Sequence, residues 1–270
     1  MIENNLSDLY FSQLALDIYE KCPLKFRHRY LDGLFWPRDW AGNSEQRELI
    51  ERGKRFHRLA RRYYARGEVM AEGILSEELG TWFERLREFR SFNENDGFFP
   101  EHELRLNQDG MKLVAKFDLL YLDKRKRQFI IYDWKTNRKQ FSDKVDYSSS
   151  MQSIVYQYVL FAAGDKYFPF AKLSPSDINL VYWNPRYPRN IKRIKYSRSK
   201  FNRDKEFLID KITEIRNLNY DDFKAVNDEN TCKYCEYRPI CYGEKPELIE
   251  VEEDDLDLEL DWEAVEEIQF

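Results

Sequence analysis

Asp118, Asp133 and Lys135 are the residues in this chain whose types and spacing could do chemistry, and the chemistry they suggest is hydrolysis assisted by a divalent cation. They sit in residues 111–137, MKLVAKFDLLYLDKRKRQFIIYDWKTN, where two runs rich in Val, Ile, Leu, Phe and Tyr flank the polar cluster 123–127. That pattern predicts two antiparallel strands and their turn. Side chains alternate along a strand, so Asp133 and Lys135 share one face while Tyr132 and Trp134 share the other. A turn centred between Arg125 and Lys126 puts Asp118 opposite Asp133, because the two are equidistant from that centre. Cross-strand partners have Cβ atoms roughly 5 Å apart, which lets two carboxylates share one cation. Without a cation the pair repels, and a lysine beside it suits a site where charge is managed during a reaction. On an ordinary hairpin the same residues would be solvated charges, so the surrounding elements decide between the two readings.

Those elements can be read in order. Residues 11–30 form a helix opened by Ser12, with apolar Leu14, Ile18 and Tyr19, and Pro23 breaks or restarts it just after Cys22. Residues 45–66 carry a helical stripe of Leu49, Phe56, Leu59, Ala60 and Tyr63 with His57 beside it, and arginines surround the stripe. A second helix, 76–92, starts at Ser76 with Glu77 and Glu78 in its first turn. Residues 101–106 form a strand leading through the turn 107–110 into the central hairpin. Residues 147–163 form a helix on which Gln152 and Tyr156 share a face. Strands at 178–183 and 191–196 and an amphipathic helix at 201–218 follow. This order of helices, a three-strand meander, a helix and further strand predicts an α/β or α+β fold with helices on the faces of a sheet.

The 270 residues are 42% hydrophobic and 16% aromatic, enough for one sizeable core. No run of 18 apolar residues and no charged-then-apolar start is present, which points to a cytoplasmic protein that neither spans a membrane nor is secreted. The net charge of −5 hides an asymmetry: residues 244–270 hold 13 acids and one Lys, leaving +7 on residues 1–243. A basic body suits an anionic partner such as nucleic acid. The tail alternates acids with Leu256, Leu258, Leu260, Trp262, Val265, Ile268 and Phe270, and reads either as a solvated terminus or as a segment that docks on a protein partner or competes with DNA for the body.

The four cysteines carry a second signal. Cys232, Cys235 and Cys241 form a C-x₂-C-x₅-C run, and in a reducing compartment thiols this close point to metal or cluster ligation. Cys22 is the one cysteine left to serve as fourth ligand, which would staple the first helix to the last cysteine segment.

Together these motifs resemble the RecB-type branch of the PD-(D/E)XK nucleases, especially the iron–sulfur subgroup that includes CRISPR-associated RecB-like exonucleases and the AddB nuclease domain. Tyr19-Glu-Lys-Cys22-Pro23 with Phe26 resembles the family's N-terminal cysteine helix, and Gly53-Lys-Arg-Phe-His57 its Gly-x₃-His helix. Phe117-Asp118 and Asp133-Trp-Lys135-Thr136 resemble its two core strands, Gln152-Ser-Ile-Val-Tyr156 its Gln-x₃-Tyr helix, and Cys232, Cys235 and Cys241 its C-terminal cluster ligands. The resemblance covers most of residues 10–243. It departs from many relatives in having Asp133 where they have Glu, and it does not include the acidic tail.

The resemblance implies a restriction-endonuclease-like mixed sheet flanked by helices, with a helical N-terminal part and a C-terminal cysteine segment, as one domain over 1–243 followed by the tail 244–270. It implies a metal-dependent DNA exonuclease acting on ends or single strands. Mg²⁺ or Mn²⁺ would be held by His57, Asp118, Asp133 and the Trp134 carbonyl, and a [4Fe–4S] cluster by Cys22, Cys232, Cys235 and Cys241, with zinc as the alternative occupant. Lys135 would position or activate the attacking water, and Gln152 and Tyr156 would orient the active-site face and the nearby DNA backbone. The competing expectation, a catalytically idle DNA-binding or adaptor subunit, is opposed by the presence of His57, Asp118, Asp133 and Lys135.

Overall fold

The computed structural model describes residues 6–34, 44–67, 76–169 and 172–244. The acidic tail, apart from Glu244, lies outside these residues. The centre is a mixed sheet in the order β1-β2-β3-β4-β5, made of β1 Gly97–Gln108, β2 Met111–Asp123, β3 Gln128–Trp134, β4 Ile178–Trp183 and β5 Lys192–Lys195. The first three strands form an antiparallel meander, β4 runs parallel to β3, and β5 returns antiparallel. A parallel step needs a crossover, and α5 (Met151–Tyr167) supplies it. The run INLVYW of β4 is buried on both sides, so its sequence carries no mark of its direction.

The turns and caps follow local chemistry. Asp109 and Gly110 both adopt positive φ, 52° and 76°, the pattern of a two-residue primed turn. The expected turn over 107–110 is therefore tighter, with Asn107 and Gln108 still paired to Lys112 and Met111. Helix α1 (Gln13–Lys21) is capped by Ser12, whose hydroxyl accepts from the Ala15 N–H at 3.1 Å. Cys22 breaks it in extended conformation, and Pro23 opens α2 (Pro23–Phe26), where a missing N–H costs nothing. Helices α3 (Ser44–Arg66) and α4 (Glu77–Phe89) follow, the latter capped by Ser76. The helix expected from residue 147 starts later. Residues Tyr147–Ser149 form a 3₁₀ turn, and Ser150 is the cap of α5, chosen from three consecutive serines that each could cap. After β5 come α6 (Arg198–Asn217) and the short α7 (Glu229–Cys232) and α8 (Arg238–Tyr242).

Each face of the sheet buries its own core. Helices α1, α5 and α6 cover one face, packing Ile18, Val155 and Ile212 against Leu113, Phe117, Leu120 and Ile131. Helices α3 and α4 cover the other, packing Phe56, Tyr64 and Trp82 against Leu119, Tyr132, Trp134 and Trp183. The second core is mainly aromatic: the Tyr132 and Trp134 rings stack at 5.3 Å and Phe89 and Trp183 at 4.7 Å. Such pairs add about 0.5–1.5 kcal/mol each beyond area burial.

Side-chain alternation in β2 breaks at one place. Leu113, Ala115 and Phe117 face the α5 core, yet so do Leu120 and Leu122, while Leu119 and Tyr121 face the α3 core. The parity flips across Asp118. On β1 it flips across Glu101, which has φ 51° and lies between the pairs Pro100↔Leu119 and His102↔Phe117. One irregular residue on each strand leaves the register intact and swaps the faces.

The two ends of the described chain meet. The Leu24 N–H donates to the Lys224 carbonyl at 3.1 Å, Lys25 pairs with Glu236 at 2.9 Å, and the Tyr237 ring packs on His28 at 5.4 Å.

Candidate active site

The β2–β3 register pairs Leu119 with Tyr132, so Asp118 is one step beyond the last ladder pair, facing Asp133 as the equidistance argument expects. There the ladder opens. The Asp118 carboxylate takes the place of a backbone acceptor, its Oδ2 receiving the Trp134 N–H at 2.6 Å. The Trp134 ring is buried in the aromatic core, so only its main chain borders the site.

Three groups from three elements converge at this opening. His57 on α3, Glu101 on β1 and Asp118 on β2 each offer one ligand atom, and these atoms all lie within 4.8 Å of one another. His57 Nδ1 is 3.2 Å from Asp118 Oδ1, while its Nε2 is buried with no hydrogen-bond partner among the described residues. Asp133 stands outside this tight group. Lys135 Nζ approaches Asp133 Oδ1 at 3.0 Å and donates to Gln152 Oε1 at 3.1 Å, and Gln152 Nε2 donates to Asp133 Oδ2 at 2.6 Å. The expected shared face of Asp133 and Lys135 is thus realised against the first turn of α5. Tyr156, one turn on, is buried with its ring edge-on to Phe117 at 5.1 Å.

The electrostatics are those of crowded acids. Burial alone would raise the Asp118 carboxyl, but His57, the Trp134 N–H and Lys135 outweigh it and hold Asp118 below its ordinary range. Glu101 moves the opposite way, raised by burial and by the Asp118 charge against the pull of Lys116 at 3.1 Å and of His57. The Asp118 charge is thus part of what holds the neighbouring Glu101 carboxyl up. Burial would lower His57, but Asp118, Glu101 and Asp133 overcome it and push the imidazole up to about 9.

This set fits a hard divalent cation. Two carboxylates that resist joint ionisation, an imidazole bearing an unpartnered nitrogen, and nitrogen and oxygen donors in one small group are all relieved by a positive ion. Glu101 is absent from the sequence-derived set, although the signal was present: Glu101 and Asp118 are equidistant from the centre of the Asp109-Gly110 turn.

Behind the site, residues 136–137 are held by groups that nothing in WNPRYP advertises. Asn184 Nδ2 donates to the Asn137 carbonyl at 2.9 Å, and Arg186 Nε donates to the Thr136 carbonyl at 3.0 Å. The Arg186 guanidinium lies over Trp82 at 4.5 Å and pairs with Glu78 at 2.7 Å.

All four cysteines are free thiols, with Cys22 buried, Cys232 and Cys235 half-buried and Cys241 exposed. Burial pushes the Cys235 thiol up to about 11; Lys25 opposes this, and Glu236 and Cys22 add to it. Burial also raises Cys241, and Cys22 and Cys232 contribute. Among the described residues, the groups of ligand atoms lying within 4.8 Å of one another include His57, Glu101 and Asp118 but none of these thiols.

A mixed sheet thus brings two carboxylates and a lysine to the point where its central strands part, beside an imidazole and a third carboxylate, a donor set suited to holding a divalent cation. Residues 10–106 and 74–242 match the family model of the PD-(D/E)XK nuclease superfamily, and the chain belongs to that superfamily. Members of it use divalent metals. No curated protein is a significant match. Among solved structures, a candidate exonuclease from Eubacterium rectale is similar at 11% identity and TM-score 0.48, covering 84% of this chain and 87% of its own. The protein SSO0001 is similar at 19% identity and TM-score 0.38, covering 89% and 92%. No helix among the described residues is long and apolar enough to cross a membrane.

Proposed function

We propose that this protein is a divalent-metal-dependent deoxyribonuclease, an exonuclease acting on DNA ends or single strands. One observation carries the reading: His57, Glu101 and Asp118 converge beside an Asp133–Lys135–Gln152 network at the parting of β2 and β3. His57, Glu101, Asp118, Asp133 and the Trp134 main chain would hold Mg²⁺ or Mn²⁺. When bound, the cation polarises the phosphodiester, lowers the pKa of a coordinated water and steadies the leaving oxygen. Lys135, tied to Asp133 and Gln152, orients the attacking water and meets charge developing on the phosphate. Gln152 fixes the rotamers of both neighbours, and Tyr156 supports that helix turn from the core side.

Residues 1–243 would act as one RecB-like nuclease domain, and residues 244–270 as an appended tail open to a protein partner. Cys22, Cys232, Cys235 and Cys241 would hold a [4Fe–4S] cluster with a structural role, as in the CRISPR-associated and AddB-like subgroup; zinc is the alternative. What supports this is the meeting of α2, which follows Cys22, with the cysteine segment through Lys25–Glu236 and Leu24–Lys224.

The test is a time course on 5′- and 3′-labelled single- and double-stranded DNA with Mg²⁺ or Mn²⁺, read for product lengths. Stepwise shortening that is lost in Asp133→Ala and in Lys135→Ala, with folding retained, is the expected result. Near wild-type cleavage in both variants removes the assignment. Iron and sulfide analysis of the purified protein separates the cluster from zinc.

A further inference from the structure

Helix α3 is electrically two-sided along its length. Its first half carries Glu45, Glu48 and Glu51, whereas residues 54–66 hold six cations and no acid. Two cations at or near the first half are paired: Arg52 with Glu48 at 3.0 Å and also with Glu78, and Lys54 lies 3.3 Å from Glu51. In the second half Arg55, Arg58, Arg61 and Arg66 are exposed and make no ion pair among the described residues. His57 belongs to this basic stretch, with Arg61 one turn on along the same face.

A charged helix face is ordinarily a solvated surface with both signs interleaved. Here one sign is kept for three turns, starting at the turn that supplies the candidate metal site. Guanidinium is the side chain best matched to phosphate oxygens, through its planar fork and permanent charge. At 1.5 Å per residue and 3.6 residues per turn, Arg66 lies about 14 Å along the axis from His57 and about half a turn around it, so a strand with phosphates roughly 3.4 Å apart passes about four of them as it crosses the exposed side of α3.

Resting on the nuclease reading, we infer that the C-terminal half of α3 is a phosphate rail. It binds the sugar–phosphate backbone of the DNA strand whose scissile bond sits at the His57–Asp118 end. The strand enters or leaves along α3 from His57 towards Arg66, not past the acidic half, and binding along the rail is indifferent to base sequence.

The experiment compares the full-length chain with two charge-matched triple variants. One is Arg58→Gln, Arg61→Gln, Arg66→Gln. The other is Lys124→Gln, Arg125→Gln, Lys126→Gln, in the β2–β3 turn at the opposite end of β3 from Asp133. Binding of a fluorescein-labelled oligonucleotide is measured in chelator from about 50 to 200 mM KCl, the range over which phosphate contacts dominate affinity. The rail triple should lose at least about tenfold in affinity, and its slope of log K against log salt should flatten by about 2, at about 0.7 per lost single-strand contact. The turn triple should keep most of both. In cleavage with Mn²⁺ the rail triple should show a raised KM with kcat little changed, and the matching Arg→Lys triple should restore the salt slope. Equal loss in both triples, or an unchanged slope in the rail triple, overturns the rail. If the wild type binds with the expected slope yet never cleaves, the nuclease reading fails and the rail stands; if it cleaves and the rail triple matches it, the reverse holds.

Discussion

Glu101 shows how much one backbone torsion can do. A left-handed φ at a non-glycine residue costs of order 1–3 kcal/mol, and here it places a carboxylate against Asp118 and within reach of His57. Glu101→Gln keeps the size and removes the charge, so half-maximal cleavage should need about 10–100-fold more Mn²⁺, the range typical of groups that tune a metal site. A metal titration of cleavage checks this, and an unchanged midpoint excludes Glu101 from the site. His57 gives a pH prediction. Its folded-state pKa of about 9 exceeds the ordinary value of roughly 6.5, so the metal-free fold gains stability that is complete below 6.5 and lost as pH rises through 9. In chelator, the urea midpoint should fall between pH 6.5 and 9, and His57→Gln should flatten that fall. Cation binding near pH 7 should also release protons, which calorimetry in buffers of different ionisation enthalpy counts.

At the scale of elements, the strand and helix order, the β2–β3 register and the Asp133/Lys135 face were legible because alternation and turn chemistry are local. Three things were not. The parity flip at Glu101 and Asp118 leaves both apolar patterns intact on either side, so it shows only as the joint between them. The parallel course of β4 depends on its neighbours and not on its own residues. The hold of Asn184 and Arg186 on the Thr136 and Asn137 carbonyls joins residues nearly 50 apart through the backbone, to which sequence pattern is blind. Asn184→Ala should therefore lower kcat while leaving oligonucleotide affinity unchanged, since it loosens the segment that follows Lys135; single-turnover kinetics reads the difference. In α6, Lys200 and Asp204 form a buried pair at 2.8 Å. Asp204→Ala strands that ammonium, and removing one partner of such a pair costs about 3–5 kcal/mol, visible as a lower urea midpoint with DNA affinity retained.

Taken whole, the molecule sets a basic body of net +7 against a tail of net −12. Truncation after Gly243 should tighten DNA binding and speed cleavage at low salt, an effect that shrinks as salt rises; equal rates with and without the tail would leave it no electrostatic role. Cys22→Ser should lower iron content and stability together if the thiols share one cluster, and full iron content in that variant would break the link between the chain's ends. That meeting of ends also bears on how the protein is made. Lys25 to Glu236 and Leu34 to Tyr237 are contacts more than 200 residues apart, and Phe11 is bridged to Leu113. Contacts of such long sequence separation slow folding, because the loop must close before they reward it. On the ribosome, α1 and α2 can make these contacts only after residues 224–237 have emerged, so the segment that holds them is synthesised about 200 residues later than they are.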